Sequence, residues 1–408
     1  MGHFGSGIMN RQPNETALVL SGGGAYGAFA VGVMKVLFAG RSPSTGYGPL
    51  EANIFTGTSV GAFNAAAIVG RQGTSLLDNA MRLESIWLDR IAERAGQCGN
   101  GVFRFIGDPL DYFDPNCVRT PARAVNNFLN DGYTISSYIS GRTANFLASR
   151  LPVRERLLGL FDLGSFVDSR PFHDLLPEVI NEPDIFGSAQ RLSIIATNWL
   201  TGTAAHFCNA DFQQGLGIQA IMASTAIPGV FQPVRIGRDI YVDGGVVENT
   251  PLQPAIKLGA TELHIIYLDP KPQYVPLLGS PNTADTLMRV YHLMLATKLK
   301  EDIETARWIN SGLEALTSMR NAETLSAIQL RDVIRIAGKV LEPEAMYKPV
   351  TIHRYFPDSD AGDQLGSLDF TEDAIARMIA EGERAALLHN CEASNCLIAA
   401  ADRQVSYA

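Results

Sequence analysis

Two glycine-framed turns, each set between an apolar strand and a helix of small residues, constrain this chain more than anything else in it. Ala17-Leu18-Val19-Leu20 runs into Ser21-Gly22-Gly23-Gly24-Ala25-Tyr26-Gly27 and then a helical pattern. Ile54-Phe55-Thr56 runs into Gly57-Thr58-Ser59-Val60-Gly61, and again a helix follows. Strand, turn, helix, strand, turn, helix over residues 17–70 implies a mainly parallel α/β sheet covered by helices. Ala28, Ala30 and Gly32 in the first helix, and Ala62, Ala65, Ala66 and Ala67 in the second, let both lie close to the sheet, so the two turns can approach one another.

The alternation breaks at 97–165, which reads as an inserted, lid-like helical segment over one end of the sheet, with helical stretches at 120–129 and 140–161. It returns at Leu192–Thr197, followed by a turn at Trp199–Gly202 into Ala204–Phe207 and a short buried helix at Ile218–Ser224. Val234–Ile236 and Ile240–Val242 flank Gly237-Arg238-Asp239 as a second hairpin that ends at Asp243-Gly244-Gly245. Leu263–Leu268 is nearly all apolar, as a central parallel strand is. Residues 1–15 read as a flexible leader, 16–270 as the main domain and 271–408 as a mostly helical extension packing on the core. Within that extension 283–316, 323–340 and 371–388 read as helices and 350–356 as a strand; the tail after Asn390 reads as unstructured.

The chain carries a net charge of −9, which argues against general nucleic-acid binding. No apolar run reaches the roughly 18 residues of a membrane span, and no stretch at the start resembles a signal peptide. The expectation is a cytoplasmic protein, with peripheral membrane contact left open; oligomeric state is not legible. The five cysteines are odd in number and scattered, with no Cys/His pairing at zinc-site spacing. No metal and no cofactor is expected.

Gly57-Thr58-Ser59-Val60-Gly61 is a G-x-S-x-G nucleophile elbow, a sharp strand-to-helix turn that holds a serine hydroxyl out at the strand tip. The Gly22–Gly27 loop can present several backbone N–H groups at one point, as developing negative charge requires. A serine must pass its proton to a base as it attacks. Of seven histidines (His3, His173, His206, His264, His292, His353, His389), only His173 reads as loop-like. Asp243 is better placed: it ends an apolar strand, and a parallel orientation of that strand would set it on the same sheet edge as the elbow. An aspartate is a weak base in water, with a pKa of about 3.9, but desolvation raises that value toward a useful one. From position alone Asp243 is equally a cap for its turn. Gly22, Gly24 and Gly27 also spell G-x-G-x-x-G, the dinucleotide fingerprint, but the next strand ends in Thr58-Ser59 rather than in an acidic residue. A purely structural tight turn is the third reading of that loop.

Taken together, Gly22–Gly27, Gly57–Ala62 and Asp243-Gly244-Gly245-Val246 resemble the patatin-like phospholipase family. Ala196-Thr197-Asn198, Ala223–Phe231 and Val247-Glu248-Asn249-Thr250-Pro251 support the match, which covers roughly residues 16–270 in order. The resemblance implies a three-layer α/β/α fold with a mainly parallel central sheet and a serine acyl-ester hydrolase acting on lipids. It makes Ser59 the nucleophile and Asp243 the general base, with the Gly22, Gly23 and Gly24 backbone and the Val60 N–H as oxyanion hole. Gly27, Gly57, Gly61, Gly244 and Gly245 support the motifs. The implied partner is a fatty-acyl ester. A departure from the family is Tyr26, where many members carry Arg or Lys. A catalytically silent lipid-binding or scaffolding member is the alternative. Residues 146–161 interleave Phe146, Leu147, Leu151, Val153, Leu157, Leu158, Leu160 and Phe161 with Arg150, Arg154 and Arg156; such a helix suits a membrane surface or packs its apolar side on its own protein.

Overall fold

The computed structural model describes residues 15–93, 100–106, 167–268, 348–357 and 366–399, with further helical residues inside 125–144 and 286–315. The expected leader apart from Glu15, residues 146–161 and the helix expected over 323–340 lie outside the described residues.

The chain opens with β1 (Thr16–Leu20), the glycine loop, α1 (Gly27–Phe38), β2 (Ile54–Thr58) and α2 (Val60–Val69). Next comes α3 (Leu76–Ile86), started by a capping box between Ser75 and Asp78 and extended by one π-helical turn, Trp87–Ile91. A two-stranded pair, β3 (Arg104–Phe105) with β4 (Val167–Asp168), stands apart from the main sheet. It leads into α4 (Arg170–Val179) and α5 (Glu182–Phe186). The hairpin of β5 (Arg191–Asn198) and β6 (Thr203–Cys208) precedes α6 (Asn209–Gln213) and α7 (Gly217–Ser224). A second hairpin, β7 (Val234–Ile236) and β8 (Asp239–Asp243), leads to α8 (Gly245–Glu248), α9 (Leu252–Lys257) and β9 (Glu262–Ile266). The described C-terminal elements are β10 (Thr351–Tyr355) and α10 (Glu372–Leu387).

Eight strands form one sheet in the order β10-β9-β1-β2-β5-β8-β7, with β6 also paired to β5. The run from β10 to β5 is parallel; β6, β7 and β8 are antiparallel to their neighbours. Every residue of β1 and β2 is buried, because helices cover both faces of the sheet. Alternate β1 residues serve opposite layers. Leu18 and Leu20 pack with α1, α2 and α3, whereas Ala17 and Val19 pack with Leu252 and Ala255 of α9.

The C-terminal segment completes this architecture. β10 extends the parallel sheet beyond β9, and α10 lies along α1. There Gly382 is in such close contact that a Cβ on it would fall 2.1 Å from the Phe29 carbonyl oxygen. Lys35 of α1 binds both Glu84 of α3 and Glu383 of α10. Residues 391–399, read from sequence as unstructured, instead form an ordered turn that returns to the sheet. The Asn390 side-chain oxygen accepts the Glu392 and Ala393 N–H groups (2.9 Å each), and Leu397 exchanges backbone hydrogen bonds with Ile352 of β10. Turn chemistry, rather than apolar periodicity, orders this stretch. Among the described residues no helix is long and apolar enough to cross a membrane.

The two early turns do meet closely: a Cβ on Gly61 would lie 2.3 Å from the Leu20 carbonyl oxygen and 2.6 Å from that of Ser21. Gly61→Ala should therefore destabilise the fold by about 1–3 kcal/mol, read as a lower urea midpoint at unchanged slope. An unshifted midpoint would contradict this approach.

Candidate active site

Ser59 sits between β2 and α2 with φ 55° and ψ −128°, a conformation that non-glycine residues adopt at a cost of roughly 1–3 kcal/mol. The surroundings enforce it. A Cβ on Gly57 would fall 2.3 Å from the Gly61 carbonyl oxygen, so the chain reverses with the two backbones in contact. The Ser59 carbonyl accepts the Ala62 and Phe63 N–H groups (2.9 and 3.3 Å), and its own N–H donates to Ser224 Oγ at 2.8 Å.

Strand β5 brings the elbow and Asp243 together. β6 runs along Ser193–Asn198 on one edge of β5. The other edge holds β2 against Arg191–Ile195 and then β8 against Ala196–Asn198. β2 and β8 thus approach each other end to end: Thr58 pairs with Ile195, and Asp243 with Ala196. The expected route to this juxtaposition, a parallel strand ending in Asp243, is corrected: β8 is antiparallel. It descends from beyond the end of β2, along the part of β5 that β2 leaves uncovered, and stops where β2 stops.

Small residues and a shared serine fasten this junction. A Cβ on Gly244 would lie 2.3 Å from the Ile195 carbonyl oxygen and 2.9 Å from Thr58 Cγ2. Ser224, the last residue of α7, accepts the Ser59 N–H on its hydroxyl and the Gly244 N–H on its carbonyl (3.3 Å). Asp243 is fully buried. Its N–H donates to the Ala226 carbonyl (2.8 Å), and its Oδ1 accepts the Gly245 N–H at 2.7 Å. That last bond is the turn-capping role foreseen for the carboxylate, and it engages the Oδ1 atom.

The glycine loop crosses directly beside the serine, since a Cβ on Gly22 would be 2.9 Å from Ser59 Cβ. The Gly22 N–H is held by Asn249, through the backbone oxygen (3.2 Å) and Oδ1 (3.1 Å). Both bonds fix the loop at this point. Gly24 and Ala25 start a 3₁₀ turn, and Val60 and Gly61 start α2; N–H groups at helix starts have no intrahelical acceptor. Gly24 adopts φ 58°, and a Cβ there would be 2.1 Å from the Ser367 carbonyl oxygen. The C-terminal segment therefore seats itself on the loop.

Ser59 opens into a cavity of about 240 Å³. Gly24 and Val60 line it beside Ser59, and Phe63, Trp87, Phe172, Met222, Phe231 and Phe370 form much of its wall. Beside it, Asp168 binds Arg104 and Arg170, anchoring the stretch that delivers Phe172. Burial works against the Asp168 carboxylate, but hydrogen bonds and charge from Arg170, with Arg104 adding its charge, hold its pKa below the ordinary value.

Among the described residues no histidine lines this cavity. His173 lies on α4 with an exposed ring 3.4 Å from Asp174, while its neighbour Phe172 points into the cavity. Two residues carry roles that sequence reasoning did not assign: Ser224 and Asn249. Both stand inside stretches quoted for the resemblance, yet nothing in their spacing revealed that one ties Ser59 to Gly244 and the other ties down Gly22. Thr56 and Thr58 complete the clamp by donating to the Pro251 and Glu248 carbonyls (2.8 Å each).

The family profile for patatin-like phospholipase matches residues 18–256, which is more than half of the chain and includes both turns and the Asp243 strand. The chain belongs to the patatin-like phospholipase family, a membership that implies lipid acyl hydrolase activity in general terms. Among solved structures, VipD from Legionella pneumophila aligns over 92% of this chain and 67% of its own, at 15% identity and a TM-score of 0.32.

Ser224→Ala would leave the buried Ser59 N–H without its acceptor, at a cost of about 1–3 kcal/mol. We expect a lower melting temperature and a lower turnover number on a soluble ester. Wild-type values of both would show that Ser224 does not hold the elbow.

Proposed function

We propose that this protein hydrolyses fatty-acyl esters of lipids through a Ser59–Asp243 dyad and an acyl-enzyme intermediate. The observation that carries the reading is the junction on β5: a serine in a strained elbow that lines an apolar cavity follows one strand, a buried carboxylate ends another, and the two strands stop against consecutive residues. The acyl chain lies in the cavity, with its carbonyl carbon at Ser59 Oγ. Ser59 attacks as Asp243 takes its proton. Charge developing on the carbonyl oxygen is met by the N–H groups of Gly23, Gly24 and Val60, whose fixed orientation avoids reorganisation during the reaction. The tetrahedral species expels the alcohol, which leaves with the proton held by Asp243. Water, deprotonated by the same carboxylate, then attacks the acyl-enzyme and frees the fatty acid and Ser59.

Burial suits Asp243 to this task, because desolvation disfavours its charged form and makes a carboxylate a stronger base. The dinucleotide reading of the glycine loop gains no support. Gly22 is tied to Asn249, and Gly24 is covered by the Ser367 backbone, so this loop's glycines serve close packing within the chain. Because lipid esters are presented at interfaces, transient contact with a membrane surface is part of the proposal.

The test is hydrolysis of a p-nitrophenyl acyl ester and of phospholipid vesicles by purified variants. Ser59→Ala should lower kcat by about 10⁴-fold or more, and Asp243→Asn by about 10²–10⁴-fold. His173→Ala should match wild type. Activity surviving in Ser59→Ala or Asp243→Asn would refute that residue's role, and loss in His173→Ala would replace the dyad with a triad. A wild-type protein inert toward every ester would favour a silent lipid-binding member.

A further inference from the structure

At the β10 edge of the sheet, three strands from β2, four metal-binding side chains converge. His353 comes from β10, His389 follows the end of α10, and Cys391 and Cys396 lie in the ordered turn beyond it. One ligand atom from each falls within 4.8 Å of all the others. Cys391 Sγ is 3.5 Å from His353 Nδ1 and 3.6 Å from His389 Nε2; Cys396 Sγ is 3.5 Å from His389 Nε2. Tetrahedral zinc, with Zn–S of about 2.3 Å and Zn–N of about 2.05 Å, has sulfur-to-nitrogen edges of about 3.6 Å. We propose that these four residues form a structural Cys₂His₂ zinc site, with His353 binding through Nδ1 and His389 through Nε2.

The chemistry of the donors agrees with that ion. Two thiols and two imidazoles suit zinc, whereas a hard cation prefers oxygen ligands. Both cysteines are free thiols. Binding releases the two thiol protons to solvent and leaves both histidines neutral. A ligand set closed by four protein atoms has no position for a reacting water, so its role is to hold structure.

The surroundings orient the ligands. The His353 ring stacks on the buried His264 with centroids 4.8 Å apart. His264 Nδ1 is 2.9 Å from Tyr355 OH, which is itself 2.6 Å from Ser44 Oγ. Glu262, His264 and His353 form a second convergent group, but it shares His353 and contains no sulfur. Glu262 is moreover already bonded to His264 at 3.3 Å. The four-residue set is the stronger zinc site.

Such an ion would staple β10 to the end of α10. The chain between those elements carries Ser367 onto Gly24, and Leu368 and Phe370 into the cavity wall. The polar turn 389–397 buries few apolar groups, and a metal supplies the cross-link that a small core does not. The arrangement escaped the sequence because His-x-Cys-x₄-Cys is not a zinc-finger spacing and the fourth ligand lies 38 residues before Cys391.

The test uses the full chain, purified under reducing conditions without chelator. Elemental analysis should find about one zinc per chain, and a strong chelator should remove it with a fall in melting temperature that added zinc reverses. Cobalt added to the stripped protein should give a thiolate-to-metal charge-transfer band and the intense visible bands of a tetrahedral site. Cys391→Ser/Cys396→Ser should lose the zinc and the charge-transfer band. If that variant fails to fold, the cobalt spectrum of the stripped wild type decides. Absence of zinc together with no cobalt spectrum would overturn the proposal, as would a Cys391–Cys396 disulfide in protein purified under reducing conditions.

Discussion

The pairing of two strand ends with adjacent residues of β5 is the constraint on which the rest of the site depends. β2 rises to Thr58 and β8 descends to Asp243, and both stop because each has reached the other. A chain forced out of a sheet at such a point must turn sharply. Ser59 does so in a strained conformation into α2, and Gly244 does so into α8. Sheet topology thus brings the Ser59 elbow and the end of β8 to adjacent points of β5, and both positions follow from regular strands. Sites built on regular elements hold their geometry more closely than sites built on loops.

Close backbone approach is the second device. The glycines of this site are spent less on unusual torsions than on removing side chains where main chains touch: Gly57 against Gly61, Gly61 against Leu20, Gly22 beside Ser59, Gly244 against Ile195. Hydrogen bonds from Ser224 and Asn249 then lock those contacts. The C-terminal segment joins the same structure, since Ser367 covers Gly24 and Phe370 stacks on Trp87 at 6.5 Å. Although the family match ends at residue 256, the sheet and the cavity are complete only with residues from beyond it.

Much of this was legible in sequence, for physical reasons that can be named. Apolar runs ending in glycine turns marked β1 and β2, a nearly all-apolar run marked β9, and turn residues marked both hairpins, because these signals are local. Ser59 and Asp243 stood out since each ends a strand in a glycine-rich turn. The direction of β8 was not legible: a hairpin strand and a parallel strand share one residue pattern, and only tertiary pairing separates them. The clamping roles of Ser224 and Asn249 were hidden for a similar reason, as a buried hydroxyl or amide acquires its function from partners 165 and 227 residues away. The turn at 391–399 lacked apolar periodicity, so its order was missed, and with it the gathering of His353, His389, Cys391 and Cys396.

The measurement that tests the central claim most directly is the rate of covalent labelling by a fluorophosphonate, with the adduct located by peptide mass spectrometry. The account predicts one adduct, on Ser59, formed rapidly in wild type and at least about 10²-fold more slowly in Asp243→Asn, because the carboxylate accepts the proton as the hydroxyl attacks. Labelling at another residue, or equal rates in the two proteins, would contradict it.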